Sequence, residues 1–330
     1  MRTNGSPVVV LAGARGAAGR MHARIHRALG HRLVEFDPSG PPPSGAALRR
    51  IPWDEIILDV CTPTSVHARS LAWGYARGVR RFLVEKPAAA SLAAWQAQVA
   101  AMPDAQIFVS HPYLYSRAYL AALDAVPAIT ELSTTFDKDR AADDTAGRGA
   151  GPDGQLPHLF QVEAPHQFAM LLAAVPGLRV STAMIDNIGT RGAERDAPVA
   201  GTVVLEDTQI DRAVLATDLR SARRRWLELR NGAGARASVQ FSTTPDRISR
   251  VWATDRQGRE RLLFEEVDDL LRYTMVRAVD SFLRDGAVPA EASARFGSTV
   301  LARIDEAIVL GEQRRLGDLP VSAPPLTTVA

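Results

Sequence analysis

Lysine is almost missing from this chain. Of 39 Lys and Arg residues only two, Lys86 and Lys138, are lysines. Arginine and lysine are not equivalent where an amine must shift its pKa and exchange a proton, because guanidinium stays charged. A lysine that survives such a drift is a candidate for chemistry. Cysteine is scarcer still. The single Cys61 excludes an intrachain disulfide framework and fits a reducing compartment. No apolar run approaches the ~20 residues of a membrane span, and Met1 to Ser6 leads straight into a strand-like run without a signal-peptide core. A cytoplasmic protein without a membrane partner is therefore expected. Blocks of like charge are also lacking. Net charge is +2, and the nearest approach to a basic block is Arg220 to Arg225, so no nucleic-acid partner is expected. The seven histidines never meet a Cys/His/Asp spacing of ligand grade, and no metal is expected.

What is present suffices for a sizeable core: 330 residues, 46% of them hydrophobic, a length that suggests two domains. Pro7 to Ala12 is a short valine-rich run of the kind that makes a buried parallel strand. It stops at Gly13-Ala14-Arg15-Gly16-Ala-Ala-Gly19, and Arg20 to Leu29 has an amphipathic helical pattern. Strand, glycine turn and helix stand in the order a phosphate site needs, since glycines let backbone N–H groups approach a pyrophosphate at the positive helix N-terminus. The G-x-G-x-x-G frame is imperfect, falling on Ala14, Gly16 and Gly19 with Gly13 one place early. His31 to Asp37 reads as a second strand ending in an acid. There it can accept from adenosine ribose hydroxyls and favour NAD, whereas Arg15 could meet the 2′-phosphate of NADP. Pro38 to Gly45 is a loop by composition.

Glu55 to Cys61 is the next strand-like run, closed by Thr62-Pro63-Thr64. A helix over His67 to Arg77, a strand over Arg81 to Val84, a helix over Ser91 to Ala101 and a strand over Gln106 to Ser110 complete a βαβ alternation, hence a doubly wound parallel sheet. Ligands bind outside the carboxyl ends of such strands, where Glu85-Lys86-Pro87 falls.

The order G-x-x-G-x-x-G-x-x-H from Gly13 to His22, then Thr62-Pro63-x-x-x-His67, then Glu85-Lys86-Pro87, resembles the glucose–fructose oxidoreductase/inositol dehydrogenase/rhizopine-catabolism (Gfo/Idh/MocA) family of NAD(P)-dependent oxidoreductases. The likeness is close over residues 7–90 and looser beyond. It implies that Gly13, Gly16 and Gly19 line the pyrophosphate and Asp37 the ribose. It implies that Thr62, Pro63 and His67 flank the cofactor, that Glu85 approaches the nicotinamide, and that Lys86 bonds the reacting substrate oxygen. His22 is expected to tether its helix.

A Rossmann domain over residues 1–115 and a substrate-binding α+β domain over 116–330 are expected, the latter built on a large open, mostly antiparallel sheet. Tyr113, Tyr115 and Arg117, at the junction, could face the substrate. Lys138 could overlook the same pocket from a strand end, or join a solvated charge cluster with Asp137, Asp139 and Arg140. Ala141 to Pro157 has no period and reads as a loop. His158 to Val175 is helical in pattern, with a kink or fresh start near His166 imposed by Pro165. The family likeness places Asp-x-x-x-His here. His166 matches the histidine, but the aspartate position is Val162. Glu163 shares a face with His166 at i,i+3, and could replace the acid or pair with an arginine. Six strand-like segments follow between Leu178 and Asp255. Phe264 to Arg284 and Ser293 to Gln313 read as helices, and the Leu316 to Ala330 tail as peripheral. By resemblance, the sheet's outer face is expected to make a homodimer or homotetramer.

These features point to hydride transfer between nicotinamide and a secondary alcohol or ketone of a sugar, amino sugar or cyclitol, with Lys86 and His166 handling the proton. Two other readings stay open: a non-catalytic cofactor-binding regulator of the same fold, and a NAD-dependent lyase or glycosidase that oxidises its substrate transiently.

Overall fold

The structure, a computed structural model, describes residues 6–37, 52–139, 158–186, 199–243 and 246–314. The expected loops at Pro38 to Gly45 and Ala141 to Pro157, and the tail from Leu316, lie outside the described residues.

Strands β1 (Val8–Ala12), β2 (Arg32–Phe36), β3 (Ile57–Val60), β4 (Arg81–Val84) and β5 (Gln106–Val109) form one parallel sheet in the order β2-β1-β3-β4-β5. Val9, Val10, Leu11 and Ala12 are fully buried, as are Leu58, Val60 and Phe82 to Val84. Each such aliphatic chain removed from water stabilises the sheet by roughly 1.5–3 kcal/mol. Helices α1 (Ala17–Ala28), α2 (Thr64–Tyr75) and α3 (Leu92–Ala100) make the crossovers. Parallel pairing sends every strand's C-terminus to one edge. Gly13, Asp37, Thr62, Glu85-Lys86 and Ser110-His111 follow the five strands in turn, so residues scattered over a hundred positions meet there.

The second sheet has eight strands in the order β13-β12-β11-β10-β6-β9-β8-β7. They are β6 (Ile129–Asp137), β7 (Arg179–Asp186), β8 (Ala200–Asp207), β9 (Ile210–Asp218), β10 (Arg224–Asn231), β11 (Arg236–Gln240), β12 (Ile248–Thr254) and β13 (Glu260–Val267). Every adjacent pair is antiparallel except β6 with β9. Helix α4 (Arg117–Ala125) and the broken helix α5 (Leu159–Val162) and α6 (Ala164–Ala174) connect it to the first sheet.

One sequence expectation needs correction. The helical reading of Phe264 to Arg284 is wrong for its first part. Glu260–Val267 is the sheet's edge strand, and the helix α7 runs over Leu270–Asp280 and continues as a π-helical turn over Ser281–Asp285. A bulge opposite Val251 and Trp252 inserts Leu263, which breaks the two-residue alternation that would have marked a strand. Residues far along the chain also pack on the first sheet. Met275, Ala278 and Phe282 close one face of the first sheet against Val9, Ile57, Leu83 and Phe108. Helix α8 (Ala294–Gln313) then packs against α3 and β5 of the first unit and α6 and β7 of the second.

Candidate active site

The glycine turn is compact for reasons of steric room. Gly13 has φ of 89°, and a Cβ there would lie 2.6 Å from the Cys61 carbonyl carbon. A Cβ on Gly19 would lie 2.1 Å from the Gly13 carbonyl oxygen, so α1 can start this close to β1 only without side chains. Gly16 is the residue before the helix and has no side-chain cap. Ala14 is buried beneath the turn, whereas Arg15, Gly16 and Ala17 are exposed above it. The Gly13 N–H donates to Phe36 O at 2.9 Å, which brings Asp37 beside the turn. A helix N-terminus with no acid in its first turn, an open glycine cradle and a neighbouring carboxylate fit the diphosphate and ribose of a dinucleotide.

His67 is buried, with Nε2 2.7 Å from Thr62 O and Nδ1 3.1 Å from Ala88 O. It therefore lies between the Thr62-Pro63 turn and the loop after Lys86; burial lowers its pKa, and the two carbonyls, which only accept, oppose that shift without cancelling it. Glu85 is largely buried against His22 Nε2 at 3.2 Å. Burial opposes its ionisation, but His22, Lys86 and Ser110 together hold its pKa below the usual value.

Lys86 is partly buried, and the Lys86–Pro87 peptide is cis. Its Nζ donates to Val162 O at 3.0 Å. Helix α5 is stitched in place by Gln161, whose Nε2 donates to Ala90 O at 3.0 Å while its side chain completes a capping box with His158. The main chain of residue 162 thus stands where the resemblance expects an aspartate. Burial lowers the Lys86 pKa; Glu163 and Glu85 oppose that shift, while Arg225 and Lys138 add to it.

The expected break falls at Glu163, which ends α5 and precedes α6, with Pro165 inside the first turn where its missing N–H costs nothing. His166 is buried one turn on. Its Nδ1 has no hydrogen-bond partner, its ring lies edge-on to Tyr113 at 4.9 Å, and burial, with the charge of Lys86 next, holds its pKa well below ordinary. Glu163 takes the second of its two expected roles. Its carboxylate accepts from Arg225 Nη2 at 3.1 Å, and Lys138 Nζ lies 3.7 Å away. It is thereby committed to two cations rather than free to serve His166.

Lys138, just past the end of β6 on the face that carries Phe136, thus joins the ion-paired group of Glu163 and Arg225. Tyr113 is buried beside it and its hydroxyl accepts from Arg225. Tyr115 and Arg117 make their contacts with other groups than these. Tyr115 stacks on Phe108 and donates to Glu291 at 3.4 Å, and Arg117 pairs with Glu266 at 2.6 Å on the exposed side of α4.

Sequence reasoning missed two residues. Arg225 shares a strand face with buried Leu227 and Leu229, and an arginine at the end of such a face was the available signal. His111 is buried with neither ring nitrogen hydrogen-bonded, and burial pushes its pKa down to about 4. The fold also gathers His22, His26 and Asp59, with donor atoms all within 4.8 Å, a grouping that spacing conceals because Asp59 comes from another element. Both histidines hydrogen-bond to the same Asp59 carboxylate oxygen.

No protein-family model matches the sequence, and no curated protein matches it. Solved structures do match. UDP-N-acetylglucosamine 3-dehydrogenase GnnA from Acidithiobacillus ferrooxidans superposes with a TM-score of 0.73 at 18% identity, over 93% of this chain and 98% of that one. KijD10, a 3-ketoreductase from Actinomadura kijaniata in complex with NADP and TDP-benzene, gives 0.68 at 16% over 93% and 98%. A myo-inositol dehydrogenase from Corynebacterium glutamicum gives 0.68 at 16% over 94% and 98%. What the chain shares with these oxidoreductases at such identities is the two-sheet fold. Among the described residues no helix is long and apolar enough to cross a membrane.

Proposed function

We propose that this chain is a NAD(P)-dependent oxidoreductase acting on a secondary alcohol or ketone of a sugar, amino sugar or cyclitol. One observation carries the reading: Lys86 stands at the same sheet edge as the glycine cradle, with Glu163, Arg225 and His166 of the second unit around it. The fold of the three sugar and cyclitol oxidoreductases supports it. NAD is the preferred cofactor because Asp37 follows β2, and NADP remains open to Arg15.

The bound nicotinamide would take up or supply the hydride. The amine of Lys86 uses one donor on Val162 O and keeps the others for a substrate oxygen. A lowered pKa puts the amine nearer to working pH as the base for a hydroxyl proton. His166 is neutral, and its unpartnered Nδ1 suits a second contact to the same substrate. Arg225 and Tyr113 close the far wall, with Glu163 holding Arg225 and Lys138 in place. The exposed face of the large sheet, where Trp226 stacks on Trp252 at 6.1 Å, is where we place contacts between copies.

Lys86→Met should abolish turnover on a panel of polyols, nucleotide sugars and cyclitols and leave cofactor affinity within about threefold, a binding change of under ~1 kcal/mol. Full activity in the variant refutes the assignment. An unreduced cofactor with deuterium entering the product from solvent would instead favour transient oxidation.

A further inference from the structure

Behind Glu85, on the side away from the cleft, runs a line of hydrogen-bonded side chains that the proposed reaction does not use. His22 Nε2 lies 3.2 Å from Glu85 Oε1, and its Nδ1 lies 2.8 Å from Asp59 Oδ2. The same Asp59 oxygen lies 2.9 Å from His26 Nε2, and His26 Nδ1 lies 2.9 Å from His31 Nδ1. His22, His26 and Asp59 are buried, and His31 reaches the surface.

Asp59 is unusual by position. It is fully buried inside β3, between Leu58 and Val60, where an unpaired carboxylate would cost several kcal/mol. Two ring N–H groups from α1 and the Cys61 thiol at 3.5 Å give it the donors an ionised carboxylate needs. His22 and His26 can both reach it because residues four apart share a helix face.

Proton bookkeeping then fixes the state of His22. A carboxylate can only accept, so Nδ1 must carry hydrogen to bond Asp59, and Nε2 must carry one to bond ionised Glu85. A ring with hydrogen on both nitrogens is an imidazolium. We propose that Asp59 holds His22 as a buried imidazolium, and that this cation keeps Glu85 ionised next to Lys86. Charge then alternates along the line Lys86, Glu85, His22, Asp59. His22 and Asp59 are positioning residues for the site, acting through Glu85 and never touching substrate. The groups facing His22 are Asp59 and Cys61 from the β3 end, Glu85 from the β4 end, and His26 from its own helix. Burial of His22 opposes its charge, and Asp59 and Cys61 outweigh that, raising its pKa well above ordinary. Burial likewise opposes charge on Asp59, which the two histidines hold far below the usual carboxylate range.

The direct test is histidine nitrogen NMR on the full-length protein, which separates imidazolium from neutral rings. The native chain should keep one imidazolium above pH ~8, where an ordinary histidine of pKa ≈ 6.5 is neutral. His22→Asn should remove that signal and so assign it, and Asp59→Asn should lose it at neutral pH. Absence of any imidazolium at pH ~8 in the native chain overturns the proposal whatever the variants do, so a variant that fails to fold leaves the test intact. Retention of the signal in folded Asp59→Asn overturns it as well.

The kinetic arm rests on the hydride-transfer reading. In Asp59→Asn, neutral His22 no longer keeps Glu85 ionised, so Lys86 loses a neighbouring negative charge and the ascending limb of kcat/KM against pH should move down by about one unit. A purely structural role would lower the rate without moving the limb. An imidazolium in a protein that oxidises nothing would refute the functional reading and leave the charge line standing. Turnover without an imidazolium would do the reverse.

Discussion

Arg225→Met tests whether the pocket wall is built as an ion-paired anchor. Arg225 and Glu163 retain side-chain exposures of 18% and 3%, and their closest contact is 3.1 Å. Methionine keeps an apolar stem against Tyr113 and Phe136, whose rings lie 5.6 and 5.5 Å from the guanidinium carbon. The substitution therefore removes charge more than volume. Stranding one member of a buried pair costs about 3–5 kcal/mol. Lys138 stays 3.7 Å from Glu163 and offsets part of that. We expect a loss of about 2–3 kcal/mol, including the hydroxyl of Tyr113 left with one partner fewer. Adding Glu163→Gln discharges the stranded carboxylate, so the double variant should regain most of the loss, with a coupling of about 1.5 kcal/mol or more. Urea unfolding followed by tryptophan emission measures both, because Trp226 and Trp252 report on the second sheet. A single variant within ~0.5 kcal/mol of the native chain, or a double variant as unstable as the single, would refute the anchor.

The glycine turn and the buried His111 supply two further predictions. Gly19→Ala must displace backbone at the turn and should cost about 1–3 kcal/mol as well as most of the NADH affinity read by fluorescence titration. Gly30→Ala, at φ of 74° with nothing within 4 Å of its Cβ, should cost about 1–2 kcal/mol of strain and leave NADH binding unchanged; equal binding by both variants would refute the cradle. Burial pushes the His111 pKa down to about 4 in the folded chain, against ~6.5 unfolded. As pH falls through this window the unfolded chain binds its proton first, so stability is present above ~6.5 and is lost toward 4, by up to about 3 kcal/mol. His111→Leu should flatten that part of the urea midpoint's pH dependence, and an unchanged slope would show that another group carries it.

Much of the first sheet was legible because its signals are local. Arg81–Val84 is a four-residue strand bounded by a glycine turn and Glu85-Lys86-Pro87, and serines at 91, 116 and 293 each accept from a backbone N–H as helix caps. The candidate lysine and histidine were legible as residue types in a familiar order. What was not legible depends on distant contacts. Nothing in Val162 as a side chain announces that its carbonyl meets Lys86, 76 positions away. The strand at Glu260–Val267 was hidden by its bulge and its charged edge. Arg225 reaches Glu163 only because β10 pairs with β6 in one register, and Asp59 reads as an interruption in an apolar strand until α1 lays His22 and His26 over it.

Helix α8 has a mechanical consequence. Trp95 Nε1 donates to Ala294 O at 3.0 Å and Leu92 N–H to Asp305 at 2.9 Å, while Gly311 lies under Ile185 of β7. One continuous rod is thus riveted to both units along its length. Parting the two units would have to break these contacts along α8 as well as the Lys86–Val162 bond. The helix therefore works as a brace, since any movement of one sheet against the other loads the same 20-residue rod.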